Sequence, residues 1–341
     1  MKNGILERLK KGPVIGAEGY LFEMERRGYV KAGAFVPEVV LDHPEAVRQL
    51  HREFLRAGSD VMEAFTYYAH RNKLRVIGRE KELEKMNRQA LRIAREVAKE
   101  GDALVAGNIC NTWEYDPKNP EKSGEVVRAM FEEQVKWAVE EGADFIIGEM
   151  FMYIGEAIIA TEVIKKYKLP AMIALTPNNP KSMDGYDWIE GCKMIEAAGA
   201  DIIGFNCQIG PDIMLPILKK LQKAVKCYTA ALPVPYHTKK RRSMWYLRYK
   251  GKPAFPLALD PFLCTRGEMA DFAKKANEIG VRYLGICCGG APHHVRAMAE
   301  ALGRTVPASR YSADMSQHGL FGSEKVVNKH EKKFTKKYKS S

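Results

Sequence analysis

The stretch Asp201-Ile202-Ile203-Gly204-Phe205-Asn206, followed by a helical pattern over 212–225 and then by Cys227-Tyr228-Thr229-Ala230, decides the fold. Short apolar runs of this kind predict buried β-strands, and apolar residues at helical spacing between them predict a crossover helix joining parallel strands. The same unit recurs along the chain. Strands are predicted at 13–15, 60–65, 103–107, 144–147, 171–175, 201–206, 227–230 and 282–286. Helices are predicted at 44–57, 79–100, 124–141, 155–167, 187–198, 212–225, 266–279 and 292–302.

Eight strand–helix alternations predict an α/β fold of the closed (β/α)8 TIM-barrel type. An open doubly wound sheet is the alternative, but no Gly-x-Gly-x-x-Gly fingerprint follows the first strand. We expect the barrel to occupy residues 1–305. Residues 306–341 then form a short carboxyl-terminal extension with a basic tail.

Composition limits the classes of protein to consider. The chain has 341 residues, 46% of them hydrophobic, which is enough for a large core without disulfides. It has no uncharged run long enough to span a bilayer, so we expect a cytoplasmic protein without a membrane partner. Seven cysteines, an odd number, fit reduced thiols. Four of them are expected to be structural: Cys110, Cys192, Cys227 and Cys264.

The formal net charge of +12 raises the question of an acidic partner. Much of the excess lies in Lys239-Lys240-Arg241-Arg242 and in the tail from Lys325 to Lys339. Terminal basic runs are typically solvated or contact another subunit, so we do not expect nucleic-acid binding. A non-catalytic basic binding protein is the alternative from a different functional class.

Three cysteines stand where strands end. Cys207 follows the sixth strand, and Cys287 and Cys288 follow the eighth. Active sites of such barrels lie where the carboxyl ends of the strands meet, so we expect the three sulfurs to converge. Three thiolates predict a Zn2+ site with one open coordination position. His293 and His294, the rival ligands, are expected to cap the following helix or to lie at the surface.

The adjacent cysteines need a special backbone. Successive side chains of a strand point to opposite faces, so a regular strand would turn one thiol away from the metal. Gly289 and Gly290 favour a turn that brings both inward. Ordinary core packing of Cys207 is the alternative. Four further candidate site residues are predicted at the same end of the barrel: Tyr67, Tyr68, Asn108 and Glu149.

Several stretches together resemble the zinc-dependent homocysteine S-methyltransferase family, most closely its betaine–homocysteine branch. The zinc signature is matched by 204–207, by 285–289 and by Pro292-His293-His294-Val295-Arg296-Ala297-Met298-Ala299-Glu300. Further matches are 23–33, 43–59, 65–69, 100–107 and 280–283. The resemblance implies a barrel, a zinc cofactor and methyl transfer from an onium donor, betaine or a sulfonium compound, to homocysteine, giving methionine. It also implies a homodimer or homotetramer. Residues 316–323 resemble the start of the family's subunit-contacting extension, although the tail then ends early, which favours a dimer.

The resemblance also implies roles for single residues. Glu149 matches the glutamate that holds the homocysteine amino group, and Tyr68 matches a tyrosine that contacts betaine, so both are assigned to catalysis. Tyr67 and Phe35 stand at further aromatic positions of the donor pocket. Asn206, in the zinc signature, is assigned to substrate binding.

The sequence departs from the family pattern mainly at positions that bind the acceptor. Gly16-Ala17-Glu18-Gly19 replaces a Gly-Asp-Gly-Gly loop whose aspartate helps to bind the amino group, which makes Ala17, Glu18 and Gly19 altered substrate-binding positions. Glu18, at the next position, is the candidate to replace this carboxylate, although neighbouring residues usually point in different directions. Met150 replaces a tyrosine, and Phe35 replaces a tryptophan. These changes keep open a related zinc methyltransferase with another thiol acceptor or methyl donor.

Overall fold

Eight parallel strands form a nearly closed barrel in the computed structural model, which describes residues 3–239, 243–318, 321–323 and 329–339. The barrel strands are β1 Val14–Ile15, β2 Val61–Glu63, β3 Leu104–Cys110, β4 Phe145–Phe151, β5 Ala171–Leu175, β6 Ile202–Asn206, β7 Tyr228–Leu232 and β10 Tyr283–Leu284. Their order in the sheet is β1-β10-β7-β6-β5-β4-β3-β2. The predicted TIM-barrel fold is confirmed.

The seam between β1 and β2 is closed by an aspartate rather than by a ladder. The Asp60 backbone N–H donates to the Ile15 carbonyl (2.7 Å), and the Ile15 N–H donates to the Asp60 carboxylate (2.7 Å). Arg304 forms an ion pair with the same carboxylate (2.7 Å). These contacts hold the first and second strands together.

Helices surround the sheet. They are α1 Ile5–Lys11, α2 Tyr20–Arg26, α3 Val39–Asp42, α4 Pro44–Ala57, α5 Arg71–Val76, α6 Leu83–Ala98, α7 Pro120–Glu140, α8 Ile154–Lys166, α9 Trp188–Ala197, α10 Pro211–Ala224, α11 Arg266–Ile279, α12 Pro292–Ala301 and α13 Lys329–Lys339. Short 3-10 helices span Glu80–Glu82, Met244–Tyr246, Asp260–Phe262, Pro307–Tyr311 and Met315–Gln317. Within the described residues, no helix is long and apolar enough to cross a membrane.

The barrel interior is sealed at its amino-terminal end. Ile5 and Leu9 of α1, a helix that the sequence analysis did not predict, belong to the same buried cluster as the inward-facing strand residues Leu104, Phe145 and Tyr283. Because apolar side chains fill that end, polar groups inside the barrel collect at the opposite end. That is the end where the predicted site residues lie.

Several elements differ from the prediction. β3 and β4 continue beyond their predicted ends, so Asn108 and Glu149 lie within strands rather than after them. The helices α1, α2, α3, α5 and α13 were not predicted, nor was the hairpin of β8 Arg248–Tyr249 and β9 Lys252–Pro253. Of the predicted basic clusters, 240–242 and Lys325 lie outside the described residues, and α13 contains the remaining basic residues of the tail.

Candidate active site

Three sulfur atoms meet at the carboxyl ends of β6 and β10. The Sγ atoms of Cys207, Cys287 and Cys288 all lie within 4.8 Å of one another, and those of the adjacent pair are 4.0 Å apart. Cys207 and Cys287 are buried, and Cys288 is partly exposed. The convergence predicted from the sequence is present.

The backbone turns as the paired thiols require. Gly289 adopts a φ of +89°, and the Gly290 N–H donates to the Cys287 carbonyl (2.9 Å), which forms a tight turn. Cys207 has a φ of +58° directly after β6. Positive φ is costly for a cysteine and is tolerated where the surrounding structure enforces it, commonly at functional sites.

The sulfur cluster fits a tetrahedral zinc ion. A Zn–S distance of about 2.3 Å places the sulfurs of one tetrahedron roughly 3.8 Å apart, close to the 4.0 Å between Cys287 and Cys288. His294 is not a rival ligand, because its ring accepts from the Ala291 N–H (3.2 Å) and its other nitrogen lies 3.1 Å from the Cys264 carbonyl. It caps α12, as predicted, but is buried rather than at the surface.

The thiols share negative charge. Hydrogen bonds with Cys287 and Cys288 lower the pKa of Cys207 well below its usual value, and the hydrogen bonds that Cys287 and Cys288 each make with Cys207 raise their own pKa values. One sulfur of the cluster is thus stabilised as a thiolate by its neighbours, which makes the cluster an anionic, soft ligand set.

Glu149 is held beside the cluster by two amides. The Asn108 side-chain N–H2 donates to one carboxylate oxygen (2.7 Å), and the Asn206 N–H2 donates to the other (2.7 Å). The side-chain Oδ1 of Asn206 in turn accepts from the Met150 backbone N–H (3.3 Å), and Met150 has a φ of +62°. Glu149 is therefore fixed in one orientation, with its carboxylate in the cavity.

Two further carboxylates face the same cavity. Glu18 is only 7% exposed and lies within hydrogen-bonding reach of Asn206 and Glu149. Glu63, at the end of β2, accepts from Asn108 (2.6 Å) through Oε1, while its Oε2 has no hydrogen-bond partner among the described residues. Glu18, the candidate replacement for the missing aspartate, lines the cavity, while Ala17 packs into the apolar core.

Sequence reasoning missed Glu63. Its signal was a single carboxylate inside the otherwise apolar run 61–65, next to a strand end. A charged residue on the inward face of a barrel strand needs a partner or a function.

Burial controls the titration of these acids. It raises the pKa of Glu149 to about 8 and, together with the neighbouring carboxylates, raises the pKa values of Glu18 and Glu63 well above the usual range. The cavity contains no lysine, arginine or histidine in its described lining. Its wall is formed by Glu18, Tyr20, Leu21, Glu63, Ala64, Phe65, Tyr67, Asn108, Glu149, Met150, Cys287 and Cys288.

The two tyrosines occupy different positions. Tyr67 lies on the cavity wall, and Tyr68 stacks against it with ring centroids 4.1 Å apart. The Lys73 ammonium lies 4.2 Å from the centroid of the Tyr68 ring. Of the two tyrosines, Tyr67 is the one that belongs to the described lining of the cavity.

Phe35 lies elsewhere. It packs against Phe22 (5.9 Å between ring centroids) and Phe255 (6.4 Å), and Phe255 also contacts Trp245 (6.1 Å). This aromatic cluster joins the loop before α3 to the loop after β7 and is distinct from the lining of the cavity.

The loop after β1 packs directly on the thiol loop. A Cβ on Gly19 would lie 2.5 Å from the Gly290 carbonyl oxygen, so only glycine fits there. The Glu18 N–H donates to the Ile286 carbonyl (3.1 Å). Gly19 therefore allows the loop after β1 to pack against the thiol loop, which places Glu18 beside the cysteines.

An arginine and a tyrosine support the thiol loop from the other side. Arg26 donates to the Tyr236 hydroxyl (2.9 Å), and a Cβ on Gly289 would lie 2.2 Å from that hydroxyl oxygen.

Cys110, expected to be structural, is buried and accepts from the Tyr68 N–H (3.3 Å), so it positions the tyrosine pair.

Comparison with known proteins identifies the family. The family model described as homocysteine S-methyltransferase matches residues 19–302. The chain belongs to the homocysteine S-methyltransferase family. It is therefore a methyltransferase enzyme, which favours the catalytic interpretation over a basic binding protein.

Two relatives whose names give different methyl donors are similar to this chain. Betaine–homocysteine S-methyltransferase 1 of Danio rerio is 41% identical over 332 residues, which cover 94% of this chain and 80% of the relative. The S-methylmethionine–homocysteine S-methyltransferase of Pongo abelii is 37% identical over 332 residues, covering 94% and 87%. The metallated form of homocysteine methyltransferase MmuM from Escherichia coli has the same fold, with a TM-score of 0.68 at 19% identity over 86% of this chain and 97% of that chain.

Proposed function

We propose that this methyltransferase moves a methyl group from an onium donor to the sulfur of a thiol, with homocysteine as the default acceptor and zinc held by Cys207, Cys287 and Cys288. The observation that carries the proposal is the convergence of three sulfurs beside a fixed carboxylate, Glu149, in one cavity. When bound, zinc supplies a Lewis acid that lowers the pKa of the acceptor thiol, so that the sulfur reacts as a thiolate near neutral pH.

The protein's own groups orient the acceptor. The Glu149 carboxylate accepts N–H groups from the acceptor's ammonium, and Asn108 and Asn206 keep that carboxylate from rotating. Because both amide partners are in place before the substrate arrives, the Glu149 carboxylate loses little conformational freedom when the substrate binds.

The donor is bound by aromatic surface. An onium methyl group carries positive charge that the face of an aromatic ring attracts without offering a competing nucleophile. Tyr67 supplies an aromatic ring to the cavity wall, and the Tyr68 ring stacks against it. In the transfer, an S–C bond forms as the donor's N–C or S–C bond breaks. The bonding pair stays on the departing nitrogen or sulfur, which becomes neutral, and the thiol proton is released.

Betaine and a sulfonium compound are the two donor classes to be compared. Relatives named for each are similarly close to this chain, at 41% and 37% identity. A different acceptor thiol is the second candidate, because Ala17 stands where the family pattern has an aspartate and Glu18 enters the cavity instead. A homodimer or homotetramer and a cytoplasmic location stay predictions, as does the domain boundary at residue 305.

The test compares purified protein with two matched variants. We expect one zinc per chain, and methionine from homocysteine with betaine, dimethylsulfoniopropionate or S-methylmethionine as donor. Cys287→Ser is expected to lose both zinc and activity. Cys192→Ser, at a fully buried cysteine in α9, is the control for loss of a buried thiol and should retain both. Wild-type activity preserved in metal-free Cys287→Ser would refute the proposal.

A further inference from the structure

A second group of metal-binding side chains lies apart from the sulfur cluster, between the loop after β7 and the first turn of α11. His237, Cys264 and Glu268 each contribute one ligand atom, and the three atoms all lie within 4.8 Å of one another. None of these residues belongs to the described lining of the cavity beside the sulfur cluster. Imidazole nitrogen, thiolate sulfur and carboxylate oxygen are the three kinds of protein ligand that zinc accepts.

Two paired backbone segments hold the first two ligands. Tyr236 and Leu263 form an antiparallel bridge, and the Cys264 N–H donates to the Pro235 carbonyl (2.8 Å). Side chains alternate between the two faces of such segments, so His237 and Cys264 lie on the same face as diagonal neighbours. Both ligands are therefore placed by hydrogen-bonded backbone.

The capping box of α11 orients the third ligand. Glu268 Oε2 accepts from the Thr265 backbone N–H (2.8 Å) and from the Thr265 hydroxyl (2.9 Å). Glu268 Oε1 lies 3.4 Å from His237 Nε2. That distance is longer than an ordinary N–H···O hydrogen bond and close to the edge of about 3.3 Å between nitrogen and oxygen ligands of tetrahedral zinc. A second hydrogen bond of this kind typically holds a metal-ligating carboxylate in place.

The Cys264 thiol is the ligand that points to a metal. Cys264, expected from the sequence to be structural, is only 3% exposed and lines a cavity together with His237 and Glu268. It forms no disulfide, and its thiol has no hydrogen bond among the described residues. A buried sulfur that faces an imidazole and a carboxylate can satisfy all three groups by sharing one ion with them.

The charge around this cavity favours a cation. Its described lining includes three carboxylates, those of Asp212, Glu268 and Asp271, and one ammonium, that of Lys275. A divalent ion therefore enters a site whose surrounding side chains are negative on balance.

A Cys–His–Glu catalytic triad would need a different arrangement. In a triad the nucleophile and the carboxylate lie at opposite nitrogens of the imidazole ring, so that one proton passes along the line. Here a single nitrogen of His237 lies within 4.8 Å of both the Cys264 sulfur and the Glu268 oxygen. The three atoms surround one point, which is the geometry of ligation.

We propose that His237, Cys264 and Glu268 form a second metal site that binds Zn2+, with water as the fourth ligand. The side chains of His237 and Glu268 are 48% and 46% exposed, so the ion reaches the site from solvent and exchanges with it. The site should therefore fill when zinc is supplied and empty during purification, whereas the sulfur cluster keeps its ion. This inference does not depend on the proposed methyl transfer.

Calorimetric titration of the purified enzyme with zinc sulfate measures the second ion. We expect the wild type to bind one further Zn2+ per chain with micromolar affinity. Loss of a partner that only orients a ligand costs about 10- to 100-fold in affinity, so Cys264→Ala should weaken binding by about 100-fold or more and Glu268→Gln by about tenfold or more. Cys192→Ala, at a fully buried cysteine in α9, is the control and should bind as the wild type does.

Cobalt(II) added to the zinc enzyme identifies the sulfur ligand. A thiolate bound to cobalt gives a sulfur-to-metal charge-transfer absorption, which the wild type and Cys192→Ala should show and Cys264→Ala should lack. Uptake without this absorption would overturn the inference. Uptake that is equal in the wild type, Cys264→Ala and Glu268→Gln would also overturn it, because the ion would then be adventitious.

Thermal unfolding provides a readout that needs no activity. An ion that binds only the folded state stabilises it, so added zinc should raise the melting temperature of the wild type and of Cys192→Ala. The melting temperatures of Cys264→Ala and Glu268→Gln should respond much less. If Cys264→Ala does not fold, Glu268→Gln decides the question: a zinc response equal to that of the wild type would refute the site.

Discussion

Substituting Gly289 by alanine tests whether the thiol loop depends on its close packing. The new Cβ would lie 2.2 Å from the Tyr236 hydroxyl oxygen, in a residue whose φ is +89°. Tyr236 cannot turn aside freely, because its side chain is fully buried and its hydroxyl accepts from Arg26. The backbone must therefore shift next to Cys288.

The magnitude follows from two contributions. A left-handed conformation costs a non-glycine residue about 1–2 kcal/mol, and overpacking of a buried site costs about 1–3 kcal/mol. We expect Gly289→Ala to lower the free energy of unfolding by about 2–5 kcal/mol. Gly303→Ala is the matched control: Gly303 has a φ of +80° but no atom within 4 Å of its added Cβ, so only about 1–2 kcal/mol should be lost.

Urea unfolding and metal analysis measure the two consequences together. Gly289→Ala should be less stable than Gly303→Ala by about 1–3 kcal/mol and should contain less than one zinc per chain, because the Cys288 sulfur is displaced. Gly303→Ala should keep its zinc. Equal stability of the two variants, with full zinc in both, would refute the argument that this contact places the thiols.

Three further predictions concern the cavity and its surroundings. Asn206→Leu removes the hydrogen bond to Glu149 and should raise the acceptor KM about 10- to 100-fold in steady-state assays, the effect of losing a bond to a charged group. Tyr67→Leu should raise the donor KM about 2- to 30-fold, and by more than Tyr68→Leu, because Tyr67 forms the wall; the opposite order in the same assay would contradict the assigned positions. Burial raises the pKa of Glu156 to about 7, so the folded state holds a proton that the unfolded chain releases. The free energy of unfolding should therefore fall between about pH 4.5 and 7 more steeply in the wild type than in Glu156→Gln, as measured by urea titration; parallel pH profiles would contradict this.

Periodicity along the chain was sufficient to predict the barrel. Each apolar run and each amphipathic stretch specifies its own element, so the predicted helices 44–57 and 266–279 coincide with α4 and α11. Short elements escaped prediction. α1 spans only seven residues, too few for a clear periodic pattern. Its two buried apolar residues, Ile5 and Leu9, belong to the core only because the barrel packs against them.

The convergence of the cysteine sulfurs was predictable because barrel topology brings strand ends together regardless of their distance along the sequence. Cys207 and Cys287 followed from that rule alone. The sequence named Glu18 and Glu149 as candidates but left the direction of Glu18 open, since that direction depends on how the loop after β1 packs, with Gly19 against Gly290. Glu63 was missed because its neighbours in 61–65 are apolar and predict a buried strand. A single charged residue within such a run does not change that prediction.

The most direct measurement of the central claim is X-ray absorption at the zinc edge of the purified enzyme, before and after addition of the acceptor thiol. We expect three sulfur ligands at about 2.3 Å from the ion in the free enzyme and a fourth sulfur when the acceptor binds. Zinc surrounded by nitrogen and oxygen, or a sulfur count that stays the same in Cys207→Ser, would contradict the account.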